Sequence, residues 1–325
     1  MYNGEKFLSQ SIESCLNQTY KNLELIIVDD CSIDQTPVIA QKYASSDSRI
    51  KIVTNNVNKK LPASLNIGHQ EASGNYFTWT SDDNLYESDA IEILLHVLIE
   101  NEVDIVYSNI FLINQVGEKK RESNFVGFEN VLFGNYIGSC FLYRKGVFER
   151  NRGYQENMFL VEDYDFWLRA MEHSVYFHLH RNLYCYRKHE ESLTAQITSD
   201  NTKNLLWRDN IASMYQAFAK GIVYEHAHIL ANWQSKRLTH QFISFEWIKS
   251  NQMYIRQILK IITNNENLKK TKRVKKVFLN ETIAVMTKDT ACKKHFINTL
   301  FILKNYVDVL DKNDLKTLIK YLFFK

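Results

Sequence analysis

Proline and glycine are scarce, two and ten in 325 residues, and they form neither a GxGxxG fingerprint nor a GxxxxGK[ST] loop. Dinucleotide redox chemistry and P-loop phosphate chemistry thereby lose their usual support. The five cysteines, Cys15, Cys31, Cys140, Cys185 and Cys292, include no C-x-x-C pair. That argues against a zinc knuckle or a disulfide scaffold and suits a reducing, cytoplasmic compartment. No apolar run reaches the roughly 18 to 20 residues that cross a bilayer, and no basic segment followed by an apolar core opens the chain. Internal repeats and low-complexity tracts are also absent.

What is present is a globular composition, 45% hydrophobic and 24% charged, enough for one large or two medium domains. The net charge of +3 conceals a division: residues 1–199 carry 18 Lys+Arg against 27 Asp+Glu, and residues 200–325 carry 22 against 10. An acidic half able to bind metal is joined to a basic half able to face phosphates or anionic lipid.

The first half alternates helix and strand patterns. Helical spacing over Ser9–Leu16, a β-branched strand over Leu23–Val28, a helix over Val38–Tyr43, a strand over Ile50–Val53 and a helix over Pro62–Ala72 follow in turn. An aromatic strand, Asn75–Trp79, leads to Asp82-Asp83; a helix over Ser88–Ile99 and a strand over Val103–Tyr107 come next. This alternation predicts a mostly parallel sheet covered on both faces, with ligands bound beyond the carboxyl ends of its strands. After about Ser199 the pattern becomes mainly helical and basic. The densest basic run, Lys269–Lys276, reads either as a solvated helix face or as a contact with lipid headgroups.

Three acidic sites stand out: Asp29-Asp30, Asp82-Asp83 and Glu162-Asp163. A strand ending in paired acids can hold a hard divalent cation and, through it, a diphosphate. Asp and Asn are also ordinary turn formers, so Asp83-Asn84 could simply end the strand. Glu162-Asp163 likewise suits the first turn of a helix. Together the three sites fit a nucleotide-diphosphate donor, with one acid for base or ribose, one pair for the metal and one base for the acceptor.

Tyr2-Asn3-Gly4, Leu16-Asn17-Gln18-Thr19-Tyr20, Leu25–Thr36, Gly74-Asn75-Tyr76 leading to Asp82-Asp83, and Glu162–Arg169 resemble, in order, the family 2 inverting glycosyltransferases of GT-A fold. The match runs from residue 1 to about 195. The resemblance implies an α/β GT-A domain over 1–199, with residues 200–325 as a helical, basic extension. Donor binding falls to Tyr2, Asp30, Asn66, Asp82 and Arg187. Asp83 and His189 would ligate Mn2+ or Mg2+, although a lone histidine can equally be structural. Asp163 becomes the general base, and Glu162 and Trp167 lie on the acceptor side. Where members carry Arg before the asparagine of the third helix, this chain has Leu65, with Lys59 or Lys60 as substitutes or as plain surface lysines.

The family also opens with an apolar strand in mid-sheet, beside the strands ending at Asp30 and Asp83. The expectation is that residue 1 is an internal or misassigned start, and that the chain as written is less stable or less active than a longer one.

The activity expected is metal-dependent, inverting transfer of a hexosyl or N-acetylhexosaminyl group from a UDP-sugar to a hydroxyl acceptor, in bacterial polysaccharide or glycoconjugate synthesis. The acceptor is a glycan or a lipid-linked molecule, no nucleic acid is a partner, and the basic half rests on the cytoplasmic face of an anionic membrane. Two other readings stay open. A sugar-phosphate nucleotidyltransferase would show a glycine-rich basic loop that Tyr2–Phe7 does not supply, and a non-catalytic nucleotide-sugar-binding protein would not need Asp163.

Overall fold

The computed structural model describes residues 1–265, 271–291 and 295–324; Lys269, Lys270 and Cys292 of the sequence reading lie outside them. The chain divides into two compact units, residues 1–131 with 135–210, and residues 132–134 with 211–325.

The first unit runs α1 (Leu8–Leu16), β1 (Leu25–Asp29), α2 (Thr36–Ser46), β2 (Ile50–Thr54), α3 (Leu61–Glu71), β3 (Tyr76–Phe77), β4 (Leu85–Tyr86), α4 (Ala90–Glu100), β5 (Ile105–Ile113), β6 (Lys119–Ser123), β7 (Phe141–Arg144), α5 (Lys145–Asn151), α6 (Glu162–Ala170), β8 (Tyr176–Arg187) and α7 (Leu193–Ser199). Helical spacing does its expected work: α1 buries Leu8, Ile12 and Cys15, and α4 buries Ala90, Leu94 and Leu98. Gln18, just beyond α1, is a buried tie whose amide donates to Ser14 O and Glu87 O and accepts from Ile91 N.

β1 and β2 form a parallel pair, with Leu25 opposite Ile50 and Asp29 opposite Thr54. The other strands form a six-stranded sheet in the order β3-β7-β5-β8-β4, with β6 also on β5. Only β5 and β8 run parallel there; β3–β7, β4–β8, β5–β6 and β5–β7 are antiparallel. The α/β class therefore holds, while pairing in the larger sheet is mixed rather than mainly parallel. Nine-residue β5, buried along almost its whole length, organises that sheet because it takes partners of both directions.

The aromatic strand is short: only Tyr76 and Phe77 pair, with Arg144 and Tyr143. Beyond them Thr78 continues through its side chain, donating to Phe141 O at 2.6 Å. β1 and β3 are the strands between which the resemblance places a further one. On this side of β1, the Met1 amino group donates to Val28 O at 2.8 Å and Met1 O accepts from Asp30 N at 2.9 Å.

The second unit contains most of α8 (Asn201–Val223), then α9 (Ala227–Leu238), α10 (Phe245–Ser250), α11 (Gln252–Asn264), α12 (Thr271–Lys288), α13 (His295–Tyr306) and α14 (Lys312–Phe324). Its core is aromatic, with Trp233, Phe278 and Phe133 meeting edge to face. Phe133 reaches this core because the buried Gln234 amide donates to Leu132 O at 2.6 Å. α11 contributes Ile255, Ile258, Leu259 and Ile262 at helical spacing. No helix among the described residues is long and apolar enough to cross a membrane.

Candidate active site

The turn at Asp82–Asn84 is built by its neighbours. β8 ends beside it, and three contacts lock the two together: Arg187 N donates to Asn84 Oδ1 at 2.7 Å, Arg187 Nε donates to Asp83 O at 2.8 Å, and His189 Nε2 faces Asp83 Oδ2 at 2.8 Å. The side chains of His189 and Asp83 are 8% and 17% exposed. Burial pushes the Asp83 carboxyl above its ordinary range; the His189 hydrogen bond opposes this and the charge on Asp82 adds to it. Asp83 Oδ1 and His189 Nδ1 are buried with no partner. On the other side, Gly4 leaves room for Asp82, since a Cβ there would lie 2.2 Å from Asp82 Oδ2.

This pair is the part of the chain that fits a divalent ion. Among the described residues no group of three or more His, Cys, Asp or Glu could hold a metal. An ion held there would take a carboxylate and an imidazole from the protein and its other positions from oxygens of a ligand or water.

Arg187 corrects the expectation of a diphosphate contact. Its side chain is 0% exposed. Beyond Asp83 O it donates to Asn114 O, Gln115 O and Gln10 Oε1, and its guanidinium stacks 4.5 Å from the centre of the Phe7 ring. It is a scaffold for the acid turn. Asn66 is similarly consumed, donating to Tyr154 O and accepting from Tyr154 N at 2.9 and 2.8 Å. That clasp holds the loop before α6 and fixes both ends of the amide on the Tyr154 backbone.

Asp30, at the end of β1, is buried and accepts from Asn55 Nδ2, Lys59 N and Lys60 N at 2.8, 2.8 and 2.9 Å. The carboxylate thus shapes the loop entering α3, where Lys60 has a φ of 71°. Lys59 and Lys60 reach the site through backbone N–H groups. Tyr2 is exposed. Its neighbours dock on the loop after β1, with Asn3 N on Ser32 Oγ and Gly4 N on Thr36 Oγ1.

α6 opens with the third acid pair. Asp163 Oδ2 accepts from Asn135 Nδ2 at 2.8 Å and Oδ1 from Tyr164 N at 2.7 Å. Burial raises the Asp163 carboxyl, with Asn135 opposing. Glu162 is pushed up to about 8 by burial and by Asp163 beside it. Both shifts run in the direction that makes the carboxyl a better proton acceptor.

Glu162 and Trp167 correct the acceptor-side expectation. Glu162 is buried and takes the Leu160 N–H, bracing a leucine held at a φ of 76°. Trp167 is core, packed edge-on against Phe141, Tyr143 and Phe166. Helical spacing from Asp163 aims it inward, so it has no surface to offer an acceptor.

A directed hydrogen-bond chain runs from α3 through β7 and the loop before α6 to Trp79, in the segment leading to Asp82. His69 Nδ1 faces Leu65 O at 2.7 Å and must donate, which makes Nε2 an acceptor for Tyr143 OH at 2.7 Å. Tyr154 OH then donates to Tyr143 OH at 3.1 Å, and Trp79 Nε1 donates to Tyr154 OH at 2.9 Å. Burial lowers His69 to about 4, so it stays neutral. Tyr186, whose hydroxyl donates to Thr194 Oγ1 at 3.2 Å, is raised by burial; the Thr194 bond opposes this, and the charges of Asp83 and Asp163 add to it.

Residues 1–155 match the Glycosyl transferase family 2 model. Over those residues the chain is similar to family 2 glycosyltransferases. An uncharacterised glycosyltransferase of Rickettsia typhi is 27% identical over 256 residues, 75% of this chain and 76% of that one. UDP-Glc:alpha-D-GlcNAc-diphosphoundecaprenol beta-1,3-glucosyltransferase WfgD of Escherichia coli is 30% identical over 139 residues, 43% of this chain and 53% of its own. The S. aureus TarS 1–349 structure in complex with UDP-GlcNAc superposes with a TM-score of 0.59 at 16% identity, covering 99% of this chain and 89% of that one. That last likeness is one of fold, and it is consistent with GT-A. The protein is a glycosyltransferase.

Sequence reasoning missed the second layer of this glycosyltransferase site. Asn135, which orients Asp163, sits in a loop whose pattern gives no sign of a function. Gln10 and Phe7, which hold Arg187, read only as helix-entry residues.

Proposed function

We propose that this glycosyltransferase moves a sugar, with inversion, from a UDP-sugar to a hydroxyl of a glycan or lipid-linked acceptor in bacterial surface-polysaccharide assembly. The observation that carries this reading is the buried Asp83–His189 pair, with Asp83 Oδ1 and His189 Nδ1 left open, in the same unit as an Asp163 carboxylate fixed by Asn135 and the Tyr164 N–H at the start of α6. The activity for which WfgD is named, with its UDP-sugar donor and diphosphoundecaprenol acceptor, supports the same substrate classes.

Asp83 and His189 would hold Mn2+ or Mg2+ against the diphosphate. When bound, that ion supplies positive charge where the departing diphosphate accumulates negative charge. Asp82, with no side-chain hydrogen bond of its own, is free to orient donor hydroxyls, and Asp30 holds the loop that walls the nucleoside. Asp163 receives the acceptor's hydroxyl proton as the acceptor oxygen bonds to the anomeric carbon; the bond from that carbon to the diphosphate breaks, and its electrons leave with the diphosphate. Asn135 and the Tyr164 N–H fix the Asp163 carboxylate while lone pairs remain for the proton. One displacement inverts the anomeric configuration.

The test is Asp163→Asn. UDP-sugar binding with Mn2+ should persist while transfer falls by about 10²–10⁴; undiminished transfer would remove Asp163 as the base. Titration with EDTA should abolish donor binding and added Mn2+ should restore it.

A further inference from the structure

α14 turns a row of apolar side chains to solvent. Leu315, Ile319 and Phe323 are 43%, 53% and 75% exposed at four-residue spacing. The opposite side of the helix, Asp314, Leu318 and Tyr321, is buried. That side is anchored on α13, with Asn298 Nδ2 donating to Tyr321 OH at 3.0 Å and His295 Nδ1 against Tyr321 O at 3.1 Å. The outward row therefore belongs to a seated helix.

At about 100° per residue, Lys312 falls within the row, and Lys316 and Lys320 line one edge of it. All three are exposed and none makes an ion pair. α13 shows a second such patch, with Phe296, Ile297 and Leu300 exposed beside Lys304. The basic run expected to meet lipid is a weaker candidate, because Lys275 and Lys276 are spent on Asp308, Asp311 and Asp314.

Apolar side chains interleaved with unpaired lysines match one kind of surface well. Pressed against a second copy of itself, the face would bring lysine against lysine. Laid on anionic lipid, the leucine, isoleucine and phenylalanine enter the acyl boundary while the lysine stems reach back to the headgroups. Thirteen residues make a helix of roughly 20 Å, suited to lying in the interface and too short to cross it. Residues 211–325 carry 20 Lys+Arg against 8 Asp+Glu, which adds long-range attraction of the same sign. We propose that the outward face of α14 is an interfacial membrane-binding helix for anionic lipid. The proposal deepens the functional reading, since a lipid-linked acceptor resides at such a surface.

The experiment is flotation of the full chain with vesicles of 30% phosphatidylglycerol in phosphatidylcholine, and with phosphatidylcholine alone, at low and high salt. Binding should require phosphatidylglycerol and weaken with salt. Leu315→Ser/Ile319→Ser/Phe323→Ser should lose it, and each Lys→Gln at 312, 316 or 320 should cost about fivefold. Because these positions are exposed, the variants should keep their far-UV spectrum and their UDP-sugar binding. Unchanged vesicle binding by the serine triple variant overturns the proposal. So does a wild-type dimer in solution that the triple variant dissolves, which would assign the face to a second copy. Vesicle binding without UDP-sugar binding would sink the transferase reading alone; the converse would sink only this one.

Discussion

Arg187→Lys separates a scaffold role from a substrate role. In the folded protein the guanidinium donates to Asp83 O, Asn114 O, Gln115 O and Gln10 Oε1 and lies over Phe7. A lysine keeps the charge but is a point donor that cannot span that fork. Hydrogen bonds to a charged group contribute about 1.5–3 kcal/mol each, and acceptors left buried without a donor cost more than the bond alone. If lysine restores about half of the set, the loss is on the order of 3 kcal/mol, within the range for breaking a buried charged network. With a urea m-value near 3 kcal/mol/M, the midpoint should fall by about 1 M. Transfer should fall as well, because the Asp83 carbonyl is released. UDP-sugar affinity and stability should therefore drop together. A variant with an unchanged urea midpoint and a specific rise in donor KM would refute the reasoning and return Arg187 to the diphosphate.

Glu162→Gln tests the buried acid at the start of α6. Burial and Asp163 push its carboxyl up to about 8, above the ordinary 4.5 of a glutamate, so its stabilising contribution is complete below about 4.5 and is lost as pH rises through 8; the variant should flatten the fall of Tm with pH across that window. Tyr143→Phe leaves His69 Nε2 and Tyr154 OH without their partner and should cost about 1–3 kcal/mol in urea unfolding with donor KM nearly unchanged. Gly4→Ala drives a methyl into Asp82. It should lower UDP-sugar affinity measured by calorimetry more than it lowers Tm.

Much of the first unit was legible because local rules agree with one another. Apolar spacing marked α1 and α4, and the β-branched run marked β1, since each buries one face. Strand direction was less legible. Alternating helices and strands suggest parallel pairing, but β3 and β4 are two-residue strands that run antiparallel to β7 and β8, partners far away in sequence, while β6 turns straight back on β5. The acid pairs were visible as residues, and their company along the chain gave them meaning. Burial was not visible: Trp167 and Arg187 sit in motifs that look functional, yet helical phase and hydrogen-bond geometry turn both inward.

What divides such motif residues is where their polar atoms end. Arg187 and Asn66 have their hydrogen-bonding groups taken up within the protein, which suits residues that hold other residues in place. Among the described residues of the first unit, the buried side-chain atoms without partners are Asp83 Oδ1, Asn135 Oδ1, Glu162 Oε2, Trp167 Nε1, His178 Nδ1, Asn182 Oδ1 and His189 Nδ1. Five of these seven lie at the acid turn, the end of β8, α6 or the Asn135 contact with Asp163. Leaving a buried polar atom unpaired costs about 1–3 kcal/mol, so a concentration of them in one region calls for a ligand or a reaction. Trp167 Nε1 lies in the core and Glu162 braces Leu160, so openness alone does not mark a site; Asp83 Oδ1 and His189 Nδ1 are set apart because they belong to one buried carboxylate–imidazole pair, and on the proposed reading a diphosphate or an ion would complete them.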